Sequence, residues 1–128
     1  MKTHNIKIIT KNKKYSIIIG SNIIRNISKI LSSHKINFEK CLVVFDSKIP
    51  VRFKLDLINN LNIKYKFIYK FTAGEKNKNY KNVKKIHNIL FKKNFNREDC
   101  VISFGGGITG DVVGFVASTF KRGIKFIN

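Results

Sequence analysis

The chain has 128 residues and a mass of 14.8 kDa, enough for one domain that buries roughly two thirds of the surface its unfolded chain exposes. Apolar residues make up 43% of it, which excludes a disordered or low-complexity chain. Lys and Arg outnumber Asp and Glu by 26 to 7, a formal charge of +19, and such an excess draws nucleic acids, anionic membranes or phosphorylated substrates at low salt. The lysines are spread along the chain, however, and they accompany abundant Ile, Asn and Phe, all with A/T-rich codons. Compositional drift therefore accounts for them without a polyanionic partner, and neither a specific nucleic acid nor a membrane is expected.

Met1 to Gly20 holds only short apolar runs broken by Lys11, Lys13 and Lys14, too short for a signal core or a membrane span. A cytoplasmic protein is the expectation. Asn5 to Thr10 and Tyr15 to Gly20 are Ile-rich runs around a Lys-Asn-Lys-Lys turn, the pattern of a hairpin with a basic tip. Ser21 or Asn22 then caps a helix with Ile23, Ile24, Ile27, Ile30 and Leu31 on one face. Cys41 to Phe45 is a continuous apolar run, hence a strand buried on both faces as in a parallel sheet, and it ends at Asp46. An acid at a strand's carboxyl end suits a ribose, although a loop or capping aspartate fits the same residue.

After Pro50, Val51 to Leu61 reads as an amphipathic helix with Phe53, Leu57, Ile58 and Leu61 inward. Tyr65 to Phe71 is a third, weaker strand, whose aromatic-lysine alternation is what a half-buried strand produces. Thr72 to Asn79 is a polar loop leading into a helix with Val83, Ile86, Ile89 and Leu90 inward. Within that loop Glu75 and Lys78 sit three apart. They form either a surface ion pair or a group that accepts from a ribose and meets a phosphate. Ile124 to Ile127 reads as one further strand.

The stretch that organises the chain lies between these last elements. Val101 to Phe104 is a buried strand running into Gly105, Gly106 and Gly107, and after Gly110 a helix follows with Val112, Val113, Phe115, Val116 and Phe120, apolar almost all round. Glycines permit positive φ and close backbone approach, and a helix start offers unpaired N–H groups and a positive dipole end. Strand, glycine turn and buried helix therefore make a phosphate cradle. Gly105, Gly107 and Gly110 fit G-x-G-x-x-G literally, but the dinucleotide fingerprint belongs in a first βαβ unit with an acid about 20 residues later, and neither condition holds. Cys41 and Cys100 read as small buried thiols, and His4, His34 and His87 have no partner at metal-ligand spacing. The expected fold class is α/β, a Rossmann-like, mostly parallel sheet flanked by helices, with an N-terminal β-hairpin.

The run from Gly105 through Gly-Gly-Ile-Thr-Gly-Asp-Val-Val-Gly-Phe-Val-Ala-Ser-Thr-Phe-Lys-Arg-Gly, with Gly74-Glu75-x-x-Lys78 upstream, closely resembles 3-dehydroquinate synthases of the shikimate pathway. The resemblance covers essentially the whole chain and implies that residues 1–128 form an N-terminal NAD-binding domain. It implies cofactor contacts from Asp46, from Ala73, Gly74, Glu75, Lys76, Asn77 and Lys78, and from Gly106, Gly107, Ile108, Thr109, Gly110 and Asp111. Arg122 matches an arginine that reaches the substrate phosphate of the other subunit of a homodimer. The family reaction converts 3-deoxy-arabino-heptulosonate 7-phosphate, a sugar phosphate, into 3-dehydroquinate and phosphate with NAD as a catalytic oxidant and reductant.

In that family a zinc or cobalt ion holds the substrate hydroxyls, and its ligands lie in a following helical domain. No catalytic residue and no metal ligand is therefore expected in this chain, which by itself is expected to be inactive, whether as a truncated product, a split enzyme or a fragment. Thr72 stands where the family often has proline, and Lys48 where it often has a polar uncharged group. The alternatives are another sugar-phosphate cyclase, an iron-dependent alcohol dehydrogenase-like NAD-binding domain, a basic nucleic-acid-binding module, or a non-catalytic remnant.

Overall fold

The computed structural model describes residues 3–128, so Met1 and Lys2, where the expected domain begins, lie outside it. Strands β1 (Thr3–Ile9) and β2 (Lys14–Gly20) form a separate antiparallel hairpin. Thr10 closes its turn, the backbone N–H and the hydroxyl both donating to the Lys13 carbonyl at 2.8 and 3.0 Å. In register, Ile6 faces Ile17 and Ile8 faces Tyr15.

The body is a four-stranded parallel sheet in the order β4-β3-β5-β6. Its strands are β3 (Lys40–Asp46), β4 (Tyr65–Phe71), β5 (Cys100–Phe104) and β6 (Lys125–Ile127). The connecting helices are α1 (Ile27–Ser33) before β3, α2 (Val51–Asn60), α3 (Tyr80–Lys92) and α4 (Gly107–Thr119).

Strand parity sorts the core. Alternate side chains point to opposite faces, so Leu42, Val44 and Val101 meet Val83, Ile86 and Leu90 of α3 and Val112, Val113 and Val116 of α4. Cys41, Val43, Cys100 and Ile102 meet Leu31 of α1, Leu57 of α2 and Leu61 just beyond it. Both central strands are buried on both faces, which is why their sequences read as unbroken apolar runs. The sheet grows outward from β3, first to β4 and then back to β5. The order therefore reverses between β3 and β5, and at that switch point the two connections leave the carboxyl edge in opposite directions, opening a crevice.

Several expectations change on folding. The helix after β2 begins as a short 3-10 turn, Ile23–Asn26, and Asn22 sits at φ 57° with no side-chain cap. Neither Ser21 nor Asn22 caps the chain there in the manner expected. Phe53 stays 38% exposed with the Arg52 guanidinium 4.6 Å from its ring centre, so it lies outside the inward face of α2. Phe115 is likewise 43% exposed, edge-on to Tyr80. Helix α4 is thus buried along one side, with Asp111, Phe115 and Ser118 on the other.

Candidate functional site

The crevice between β3 and β5 is where the glycine turn falls. Gly105 leaves β5, Gly106 adopts extended backbone at φ −87°, ψ −166°, and α4 begins at Gly107. The helix therefore starts inside the glycine run, four residues earlier than the apolar periodicity indicates. Gly106 accepts the first helical bond from the Gly110 N–H at 3.0 Å, and no side chain caps this end. The N–H groups of Gly107, Ile108 and Thr109 occupy the first turn, where an α-helix leaves donors without internal acceptors. The Gly107 and Ile108 donors and the positive dipole end face the crevice, while Thr109 is fully buried beneath them.

The glycines serve different purposes, and left-handed backbone is not among them: of the glycines only Gly123 lies in the positive-φ region that disfavours other residues. A Cβ on Gly105 would lie 2.7 Å from Thr109 Oγ1, 2.9 Å from Thr109 Cβ and 3.1 Å from Asp46 Cβ. Gly105 is thus a packing requirement that lets the ends of β3 and β5 close on the first turn of α4. Gly110 and Gly114 let α4 approach Asn128 and Phe126, at 2.9 and 3.3 Å from a would-be Cβ. Gly106 and Gly107 differ, because a Cβ at either would meet nothing within 4 Å. Their missing side chains keep open the space directly in front of the unpaired N–H groups.

Asp46 lies at the rim of this space, half-buried, one carboxylate oxygen accepting from the Lys48 N–H at 3.0 Å. That is a local turn bond, so the loop-aspartate role and the ligand role coexist in one residue. The second loop arrives from β4. Gly74 is extended at φ 164°, Glu75–Asn77 forms a 3-10 turn, and Asn77 donates from Nδ2 to the Thr72 carbonyl at 2.7 Å. Lys78 does not pair with Glu75. Its ammonium donates to Asp111 Oδ2 at 2.9 Å, joining the second loop to the first turns of α4. The hydrogen bond to Asp111, then the carboxylate's charge, holds the Lys78 pKa above its usual value.

Two hydroxyls beneath the glycine turn were not singled out as a pair by sequence. Ser103 and Thr109 are 4% and 0% exposed, and neither hydroxyl oxygen has a hydrogen-bond partner among the described residues. A buried unpaired hydroxyl costs about 1–3 kcal/mol, so each of these oxygens is short of a hydrogen bond that its burial favours. The only signal in the sequence is the presence of Ser and Thr where the surrounding strand and helix are apolar.

Arg122 lies apart from these residues. It follows α4 and precedes β6, hence at the amino edge of the parallel sheet, opposite the glycine turn. Lys121, Arg122 and Gly123 all have positive φ, at 47°, 64° and 117°. Lys121 Nζ bonds the Phe95 carbonyl at 2.8 Å and Arg97 Nε bonds the Gly123 carbonyl at 3.2 Å, which holds this tight bend in place. Among the described residues no cluster of three or more His, Cys, Asp or Glu has the disposition of a metal site, and no helix is long and apolar enough to cross a membrane. Burial raises the Cys41 thiol pKa to about 12 and pushes that of Cys100 up as well.

Comparison with known proteins gives a consistent result. Residues 68–128 match the family model described as 3-dehydroquinate synthase N-terminal. The 3-dehydroquinate synthase of Pelagibacter ubique is 52% identical over 96% of this chain, and that of Prochlorococcus marinus is 37% identical over 99%. The chain spans about a third of the length of these curated relatives, 33% and 36% respectively. Among solved structures, a 2-deoxy-scyllo-inosose synthase aligns over 96% of this chain and 35% of its own, with a TM-score of 0.85 at 20% identity. A 2-epi-5-epi-valiolone synthase from Streptomyces hygroscopicus, solved with NAD+ and Zn2+, aligns over 92% of this chain and 32% of its own with a TM-score of 0.74 at 19% identity. At these identities the structural likeness speaks for the fold, and over residues 68–128 the chain is similar in sequence to the N-terminal domain of 3-dehydroquinate synthases.

Proposed function

We propose that the chain is the NAD-binding domain of a 3-dehydroquinate synthase, spanning residues 1–128. The observation that carries this reading is the open space over Gly106 and Gly107, bounded by the uncapped start of α4, by Asp46 and by Lys78. Packing within the chain gives no reason for glycine at those two positions, whereas a dinucleotide's diphosphate lying against the helix start does. A 2-deoxy-scyllo-inosose synthase of the same fold was crystallised with a carbaglucose phosphate, NAD+ and Co2+, which supports a nucleotide site on this architecture.

The residues fit that cofactor. The N–H groups of Gly107 and Ile108 face the diphosphate, and Asp46 accepts from the hydroxyls of the adenosine ribose with its free oxygen. Glu75 accepts from a ribose, and Ala73, Gly74, Lys76 and Asn77 shape the turn that presents it. Lys78 exchanges its Asp111 partner for the nucleotide, leaving Asp111 to accept a hydrogen bond in turn. Thr109, fully buried beneath the turn, fixes the helix start that meets the diphosphate, and Gly110 keeps the first turn close to Asn128. When bound, NAD supplies reversible oxidation of a ring alcohol in the sugar phosphate, which acidifies the neighbouring C–H for loss of phosphate.

The whole activity, conversion of 3-deoxy-arabino-heptulosonate 7-phosphate to 3-dehydroquinate and phosphate, belongs to a protein with a divalent metal and a substrate domain. Residues 1–128 contribute the nucleotide-binding part of it. Arg122, at the opposite edge from the glycine turn, serves the substrate phosphate of a partner subunit in a cytoplasmic homodimer. Calorimetric titration of the purified chain with NAD, at low and at physiological salt, tests the reading beside Gly107→Val. A Cβ at position 107 meets nothing within 4 Å, so the variant should fold normally and lose NAD binding. Wild-type heat that disappears at physiological salt, or binding that survives in the variant, would refute the assignment.

A further inference from the structure

The hairpin of β1 and β2 keeps one apolar face turned to solvent. In register, His4 pairs with Ile19, Ile6 with Ile17 and Ile8 with Tyr15, and strand alternation puts these six side chains on one side. The other side meets the body, where Asn5 Nδ2 donates to His34 Nε2 at 3.3 Å, just beyond the end of α1. Exposure along β2 follows the same alternation. Tyr15, Ile17 and Ile19 are 55%, 42% and 53% exposed, while Ser16, Ile18 and Gly20 between and beyond them are partly covered. Ile6, opposite Ile17, is 46% exposed. A two-stranded hairpin is marginal in water unless an apolar face packs on something, and half of this face has no cover among the described residues.

Charge and area point to the occupant. The chain carries +19, so two copies repel wherever lysines meet, yet among the described residues this face holds no Lys, Arg, Asp or Glu. Lys7 and Lys14 lie on the opposite side, and Lys11 and Lys13 belong to the turn. Ile6 and Ile17 are the middle residues of their seven-residue strands. A two-fold axis running across the strands at that pair therefore stacks the face on itself and sends the two basic turns to opposite ends, about 20 Å apart. With roughly 150–250 Å² for each large side chain, the exposed parts come to about 500 Å² per copy. Two copies then reach the roughly 1,000 Å² at which specific interfaces begin. The Asn5–His34 bond also sets the hairpin beside the amino edge of the parallel sheet, the edge that bears Arg122. We infer that this face is the contact between two copies of the chain, packed face to face across that axis. Such a contact supplies the surface of the homodimer proposed above, and it rests on that part of the reading alone.

The test is sedimentation equilibrium of the full chain over a range of concentrations, at low and at high NaCl. Three proteins are compared: wild type, Ile17→Thr/Ile19→Thr, and the control Val51→Gln/Leu55→Gln, which changes exposed apolar residues of α2. Thr keeps the strand preference of Ile while removing apolar surface, and thermal melting checks that each variant folds. The expected result is a monomer–dimer equilibrium that the hairpin variant weakens by about tenfold or more and the control leaves unchanged. Salt should tighten the wild-type dimer, because it screens the repulsion between two basic chains and takes nothing from an uncharged face. In a mixture of 13C-labelled and unlabelled copies, NOEs should join Ile6, Tyr15, Ile17 and Ile19 of one copy to those of the other. A chain that stays monomeric overturns the inference and the homodimer with it, leaving the face to a different segment. A dimer that survives in the hairpin variant, or that dissociates in salt, overturns the inference and keeps the homodimer. Association that runs past two copies overturns it as well, since a closed two-fold contact stops there.

Discussion

Gly105→Ala and Gly106→Ala separate a glycine required by packing from one that keeps space open. At 105 the added methyl would lie 2.7 and 2.9 Å from the Thr109 hydroxyl and Cβ, and 3.1 Å from the Asp46 Cβ. These are short side chains anchored close to the backbone, so neither can swing away. Thr109 is fully buried in the first turn of α4, and Asp46 closes β3. Relief requires the helix start to move away from the sheet, an overpacking cost of about 1–3 kcal/mol. For a chain of this length that corresponds to a fall in melting temperature of about 4–11 °C.

At 106 the methyl meets nothing within 4 Å and φ is −87°. Reduced freedom of the unfolded chain makes Gly106→Ala neutral or stabilising by up to about 1 kcal/mol. Thermal and urea unfolding of the two variants beside wild type give the comparison, and NAD titration of the same samples gives the second axis. Gly105→Ala should lose stability, and Gly106→Ala should keep stability and lose nucleotide affinity. If both variants melt with the wild type, or if Gly106→Ala is the less stable one, the division of roles among these glycines is mistaken.

Asn79 caps α3, its side chain accepting from the Asn82 N–H at 3.0 Å; Asn79→Ala should cost about 0.5–2 kcal/mol in urea unfolding, and a variant as stable as wild type would mean water replaces the cap. Lys78→Ala removes an exposed pair with Asp111, so melting temperature should stay nearly constant while NAD affinity falls; a large stability loss would make the pair structural. The buried Cys41 and Cys100 thiols should resist a neutral-charge disulfide reagent at pH 8 in the folded protein and both react in denaturant. The Cys41 pKa is raised from 9.0 to about 12, so the folded state holds its proton more tightly. Its contribution to stability is full below pH 9 and is lost as pH rises toward 12. Cys41→Ala should flatten that alkaline slope, and an unchanged slope would exclude the thiol as its source.

Much of the fold was legible because its signals are local. Cys41 to Phe45 and Val101 to Phe104 are unbroken apolar runs, since a strand between two helical layers has no wet face. The spacings of Val83, Ile86 and Leu90 mark the buried side of α3 in the same way. The Gly-Glu-x-x-Lys turn and the glycine run were likewise legible as backbone signals, and the family resemblance rests on them.

What the sequence by itself could not decide are the contacts between segments far apart in the chain. Lys78 had Glu75 three residues away as an obvious partner, yet its ammonium pairs with Asp111, thirty-three residues on, because α3 and α4 pack side by side. The reason for Gly105 appears only once the ends of β3 and β5 meet Thr109. Periodicity placed the helix start after Gly110, because Gly107, Ile108 and Thr109 carry too little apolar pattern to announce a first turn. The sequence by itself determined the elements, their buried faces and the glycine turn, since those follow from local spacing. The tertiary structure alone decided which of these residues converge at the switch point between β3 and β5, since strand order is set by packing and not by sequence neighbours.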